Sequence, residues 1–222
     1  MNTWRVLGGT PILVVDAEES EKKPVSFRLI YEGPLLSRQS SDGKALKKNR
    51  HFIRKQFHQQ LKELWESHTM LRTIARVPIQ TFQGKTPLEN ATGIQSLSNI
   101  YSRGPYGFVP LVCPDFKLIC SLDIPFLRRG EPGALAGGDI DNRIKTLLDG
   151  LQIPTGTDDI VEPIEEGEKP FFCLLENDRL VTEIKITTDR LLRPAEPTTD
   201  SHVANNVVLV LSVDINQTLR LW

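Results

Sequence analysis

The chain has 222 residues, 39% of them hydrophobic and 25% charged, and a formal net charge of -1. A chain of this length buries a substantial core unaided, and the composition excludes disordered, collagen-like and disulfide-dense secreted classes. The expectation is one domain over 1–222 with long loops.

The opening MNTWRVLGGTPILVVDAEESEKK lacks the pattern of a secretory signal, so a cytoplasmic protein is expected. Its longest apolar runs, Ile12 to Val15 and Val207 to Leu211, fall far short of the roughly 20 residues of a membrane helix, and no membrane partner is expected. Cys113, Cys120 and Cys173 form no CxxC pair and read as buried thiols. Residues 1–24 read as an N-terminal extension that carries a strand from Pro11 to Asp16, and a second strand runs from Val25 to Tyr31.

From Ala45 to His68 the apolar residues Ile53, Phe57, Leu61 and Leu64 recur at steps of four and three, with Trp65 beside them, which predicts an amphipathic helix. Lys48, His51, Lys55, His58 and Lys62 lie at helical spacing on another face. That face reads either as a solvated surface or as one turned toward phosphate. Residues 83–107 are dense in Gly, Pro, Ser, Asn and Thr and read as a loop insertion. Phe116 to Pro125 is a strand, and a glycine-rich loop leads from it to a short helix. Residues 152–174 form a second, acidic insertion, and Thr182 to Thr188 and Val207 to Ile215 are closing strands. The pattern predicts an α/β (α+β) domain, a small mixed sheet flanked by two main helices.

Chemistry concentrates between Asp139 and Asp149. Ile144, Leu147, Leu148 and Leu151 mark the buried stripe of the short helix, with Asp141 or Asn142 as its N-cap. Asp141, Lys145 and Asp149 step by four along another face. Asp139 and Asp141, two residues apart in extended backbone, would point the same way. Carboxylates beside a lysine suit Mg²⁺ and a phosphoryl group; the same residues also suit a plain capped helix start. An EF-hand loop from Asp139 would need Gly and Glu where Ile144 and Gly150 stand, and no Walker A motif is present.

The run Asp139-Ile-Asp141-Asn142-Arg-Ile-Lys145-Thr-Leu-Leu-Asp149-Gly-Leu151 resembles the D-x-D-N-x-x-K-x-x-x-D-x-L signature of the RusA-type Holliday-junction resolvases. These are small, dimeric, Mg²⁺-dependent endonucleases of bacteria and prophages that cut four-way DNA junctions in recombination and repair. The segment from Asn177 to Ile186 resembles the family's later acidic segment, with Asp178 as the matching carboxylate and Glu183 as a supporting acid. The acidic pair Asp158-Asp159 competes for Asp178's role.

The resemblance implies a metal-dependent endodeoxyribonuclease with a RusA-like nuclease fold. Asp139, Asp141 and Asp178 would bind Mg²⁺, with Mn²⁺ as a substitute, and Lys145 would contact the scissile phosphate. Asn142, Asp149, Glu183 and Asp159 are secondary members. Lys48, Lys55, Arg128 and Arg129 would hold flanking DNA phosphates. The implied partners are branched DNA and a second copy of the chain, in a bacterial or phage-encoded protein associated with the nucleoid. A noncatalytic DNA- or protein-binding module of the same fold is the alternative.

Overall fold

The computed structural model of the protein describes residues 3–7, 10–14, 25–39, 42–76, 91–129, 139–161, 163–192 and 206–217, without the side chains at 3–7, 10–14 and 139. Two strands near the N-terminus, β1 (Thr3–Leu7) and β2 (Thr10–Val14), pair antiparallel as a two-stranded sheet of their own. The main chain of the fold then runs β3 (Val25–Pro34), α1 (Gly43–Ser67), α2 (Thr69–Arg76), α3 (Gly93–Ile100), β4 (Ser102–Arg103), β5 (Tyr106–Val112) and β6 (Leu118–Arg128). It continues through α4 (Asp139–Leu151), β7 (Phe171–Leu175), β8 (Val181–Arg190) and β9 (Asn206–Gln217). The expected α+β domain is therefore present. Among the described residues no helix is long and apolar enough to cross a membrane.

A four-stranded mixed sheet in the order β3-β9-β6-β8 carries the fold, with β3/β9 and β9/β6 antiparallel and β6/β8 parallel. Period-two alternation puts Leu29 and Tyr31, Leu209, Leu211 and Val213, and Leu122, Ile124 and Phe126 on one buried face. The opposite face is polar, with Arg28, Ser212, Asp123 and Lys185 in one cross-strand row. A smaller sheet, β4-β5-β7, pairs β5 parallel to β7. All five residues of β7, FFCLL, are buried, the signature of a strand covered on both faces.

The predicted apolar stripe of α1 faces the core: Ile53, Phe57 and Leu61 are buried with Trp65 beside them, and Leu64 is partly buried against the core. Asp42 caps it, accepting from Ala45 N at 2.7 Å. On its flank, Gln60 accepts from Ile30 N (2.8 Å) and donates to Ile30 O (2.7 Å), and Gln56 does the same for Glu32 N (3.3 Å) and Glu32 O (2.8 Å). Two side-chain amides thus take the place of a neighbouring strand along the outer edge of β3.

The expected basic face of α1 is not a free surface. His51 and His58 are buried, and both rings lie against Phe171 of β7. Lys55 is paired with Glu165 and Glu168, both at 3.2 Å. Lys47 donates to Asp158 O (3.0 Å) and Lys62 to Gly167 O (3.4 Å). The acidic stretch covers the part of this face from His51 to Lys62, where Lys55 meets two carboxylates, Lys62 meets a backbone carbonyl and the two histidines pack on Phe171, while Lys48 stays exposed. Single-sequence spacing reveals the lysines but not what faces them.

His58 Nδ1 accepts from Phe172 N at 2.9 Å, hooking α1 to β7. Burial holds its imidazole below the ordinary value. Lys62 and Lys55 push the same way, while Glu168 and the Gly167 carbonyl oppose them. Because the folded-state value is lowered, the unfolded chain takes up the proton first, so His58's contribution to stability is present above about pH 6.5 and lost as pH falls toward its own lower value. Urea unfolding should show stability dropping by up to about 1.4 kcal/mol per pH unit in that window, and His58→Asn, whose amide oxygen can accept the same bond, should flatten the slope. An equal slope in both proteins would remove His58 from the account.

Two loop expectations are corrected. Within 83–107, residues from Gly93 onward form α3, β4 and the start of β5. The reason is a capping box, in which Gln95 N donates to Thr92 Oγ1 and Thr92 N to Gln95 Oε1, followed by the buried residues Leu97 and Ile100. Within 152–174 the chain makes two single-turn 3-10 helices and enters β7, so this stretch supplies core as well as acidic surface. Between these segments Gly150 of α4 crosses α1, where a Cβ would lie 2.5 Å from Ile53 Cγ2. Gly150→Ala should therefore destabilise by about 1–3 kcal/mol in urea titration, although alanine is the better helix former by about 1 kcal/mol. A stabilised variant would mean that the helices separate at no cost.

Candidate functional site

The helix α4 begins at Asp139, two residues earlier than its expected cap, so Asp141 lies in its first turn. There a carboxylate is favoured by the positive end of the helix dipole. Helical backbone at both positions removes the extended-chain basis for placing Asp139 and Asp141 on one side, since residues i and i+2 of a helix do not face each other. The Asp139 side chain lies outside the described residues. Asp141 is exposed, one turn before Lys145 on the same face.

Lys145 is the centre of the arrangement. Its ammonium donates to Asp178 Oδ2 and lies 3.3 Å from Asp149 Oδ1. The bond to Asp178 is the main cause that raises its pKa above the ordinary lysine value. Asp149 is buried, and Arg50 of α1 reaches its Oδ2 at 3.3 Å while Gln152 Nε2 lies 3.5 Å from its Oδ1. Gln152 Oε1 in turn accepts from Asp178 N at 3.0 Å. A single buried amide thus bridges the end of α4 and the segment that carries Asp178.

Local sequence explains why Asp178 arrives there. The buried strand β7 ends at Leu175, whose carbonyl accepts from Ile153 N at 3.0 Å, pinning the exit of α4 beside the exit of β7. Asn177 then caps a 3-10 turn, Asp178–Leu180, accepting from Arg179 N at 3.0 Å. The Asn177 side chain thus has a capping task. A register shift between Cys120 and Ser121 marks the start of β8 just beyond, where bulges commonly re-aim side chains.

Arg54 of α1 lies beneath this cluster, 3% exposed. Its Nε donates to Gln152 O (3.1 Å) and its Nη2 to Asp149 O (2.9 Å), two carbonyls at the C-terminal end of α4. Burial lowers its pKa, the Asp149 and Asp159 charges counter this, and a cation at a helix C-terminus is favoured by the dipole. Arg50, Arg54 and Gln152 were not among the expected site residues. Arg50 and Arg54 are one turn apart on α1, and that spacing was the available signal.

The remaining expected residues disperse. Asp159 sits in a separate 3-10 turn, where Thr155 Oγ1 donates to its Oδ2 at 2.7 Å, so Asp178 is the carboxylate that meets Lys145. Glu183 pairs with Ser121 on the polar face of the large sheet. The carbonyl of Asn142 accepts from Thr146 Oγ1 at 3.1 Å within α4. Arg128 and the adjacent Arg129 lie at the far end of β6, eight residues beyond Cys120 and so about 26 Å along the strand from the start of β8. Lys48 is exposed, whereas Lys55 is engaged by the acidic stretch.

Comparison with protein-family models, curated proteins and solved structures finds no match to this chain.

Among the described residues no three His, Cys, Asp or Glu side chains converge as a metal-holding group. The donor chemistry still fits Mg²⁺, which takes hard oxygens and needs as few as one or two protein carboxylates alongside water and phosphate. Asp141 and Asp178 are partly or fully exposed, so both remain accessible to such an ion. An open pocket of about 330 Å³ elsewhere on α1 is lined by Glu63, Glu66, Glu165 and Glu168. Its four carboxylates make it unsuited to a phosphate. The thiols of Cys113, Cys120 and Cys173 are buried and pushed up to about 12, which leaves them without nucleophilic character.

Proposed function

We propose that this chain is a Mg²⁺-dependent endonuclease that hydrolyses phosphodiester bonds in branched DNA, resembling the RusA-type resolvases and working as a pair of copies in the cytoplasm. The observation that carries the reading is the contact between Lys145 and Asp178, 33 residues apart in sequence. It joins the D-x-D-N-x-x-K helix to the later acidic segment with which that motif would have to cooperate. Asp141 and Asp178, with Asp139, would hold the ion. When bound, Mg²⁺ supplies Lewis acidity for activating water and stabilising a departing oxygen.

The chain's own residues then divide the remaining work. The ammonium of Lys145 offers positive charge to a phosphoryl group, and Asp149, fixed by Arg50 and Gln152, holds that ammonium in place. Lys48 on one side and Arg128 and Arg129 at the far end of β6 offer charge to flanking phosphates.

The test pairs a labelled four-way junction with a matched linear duplex, in Mg²⁺ or EDTA, for the native chain and Asp141→Asn. Paired nicks on the junction that need both Mg²⁺ and Asp141 are expected, with binding retained by the variant. One observation favours a second reading, a noncatalytic module: Lys145 and Arg50 balance Asp149 and Asp178 in charge, as a purely structural clamp would. Junction binding with no Mg²⁺-dependent product would select that reading.

A further inference from the structure

The two edges of the large sheet are treated differently. Gln56 and Gln60 satisfy both backbone groups of Ile30 and Glu32, so the β3 edge is blocked to another strand at those two positions. At the other edge, among the described residues no strand pairs with the outer side of β8. Seven of its ten residues are exposed, and Ile184, on the core side of the sheet, is 38% exposed.

The polarity of that edge follows from the ladder. Leu191 N donates to Arg128 O at 2.7 Å, so odd-numbered residues of β8 turn their backbone groups toward β6. Even-numbered residues from Ile184 to Arg190 therefore turn theirs outward. The Arg190 N–H is covered by its neighbour, Asp189 Oδ1, at 2.7 Å, which leaves Ile184, Ile186 and Thr188 as the open run among the described residues.

We infer that this edge is the surface on which a second copy of the chain docks, β8 against β8 in antiparallel register about Thr187. The sequence of β8 is complementary to itself in that register. Thr187 meets Thr187 at the two-fold axis, and Lys185 meets Asp189 of the second copy, once on each side. Both are non-hydrogen-bonded pairs, in which facing side chains come closest. Ile186 and Thr188 exchange backbone bonds, and Ile184 gains cover on the core face.

Other registers are disfavoured by charge. Moving the two-fold axis to Ile186 sets Glu183 against Asp189 of the second copy, and moving it to Lys185 sets lysine against lysine. In the Thr187 register Lys185, already 3.0 Å from Asp123 in its own chain, lies between two carboxylates. The product is one continuous eight-stranded sheet whose two terminal edges are both β3, each obstructed at Ile30 and Glu32 by Gln60 and Gln56, which disfavours growth beyond two copies.

The inference rests on the two-copy part of the proposed function and is independent of its chemistry. Sedimentation of the full chain over a concentration series tests it, with far-UV circular dichroism confirming that each variant folds. The native chain should sediment as a dimer. Asp189→Lys should raise the dissociation constant by about tenfold or more, and the swap of Lys185→Asp with Asp189→Lys should recover most of the loss. Thr188→Pro removes an outward N–H while sparing the ladder to β6, and it should give a folded monomer. A dimer unchanged in Asp189→Lys and Thr188→Pro would overturn the β8 surface and leave the two-copy reading standing; a monomeric native chain would overturn both. Neither outcome bears on junction cleavage, which is scored separately.

Discussion

Replacing Arg54 with methionine should lower the unfolding free energy by about 3 kcal/mol, a large share of the roughly 5–15 kcal/mol that holds a domain folded. The guanidinium donates to the Asp149 and Gln152 carbonyls from a buried position, and methionine would fill much of its volume without donating to either. Those carbonyls close α4, so the loss falls on the helix that carries Lys145 and Asp149. Arg54→Lys should recover only part of it, because one ammonium on a flexible stem does not reproduce a planar fork aimed at two acceptors. Urea denaturation of the three proteins decides the matter. A methionine variant within about 0.5 kcal/mol of the native chain would show that α4 is held by packing alone.

Asp178→Asn should reduce single-turnover junction cleavage by about 10²- to 10³-fold while changing stability by less than about 1 kcal/mol. The separation follows from exposure. The side chains of Lys145 and Asp178 are 39% and 30% exposed, so solvent screens much of their attraction in the folded state. A reacting phosphoryl group covering the pair would be screened far less. Lys145→Met should behave similarly, and the double variant should be little worse than either single one, as groups acting together in one step are non-additive. Several kcal/mol of lost stability, with no cleavage by the native chain, would mark the contact as a structural clamp.

The sequence made some layers of this molecule easy to read and left others hidden, for identifiable reasons. The stripe Ile53, Phe57, Leu61 and Leu64, with Trp65 beside it, is periodic, long and uninterrupted, so α1 was legible along with its core face. Lys145 and Asp178 were legible through a motif. Their contact depends on the pinning of Ile153 to Leu175, a tertiary hydrogen bond with no local sequence signal. β7 was missed because FFCLL is short and apolar throughout, and periodicity cannot separate such a run from loop or helix. The capping box at Thr92 and Gln95 was visible in sequence but was outweighed by the surrounding glycines and serines. The fate of the basic face of α1 depended on residues more than 100 positions away, as the 110-residue separation of Lys55 and Glu165 shows. No window along the helix contains that information.

The pairing of β3 with β9 also constrains how the chain reaches this structure. Ser26 and Asp214, hydrogen-bonded across the two strands, are 188 residues apart, so the first strand of the large sheet waits for a partner synthesised long after it. Contacts of such span close slowly, and an unpaired strand left waiting is an aggregation hazard. In the interval α1, made soon after β3, can already cover one side of it through Gln56 and Gln60. On a ribosome, then, those two glutamines would serve as a chaperone in cis, shielding Ile30 and Glu32 on one flank of the nascent strand and leaving the other open for β9.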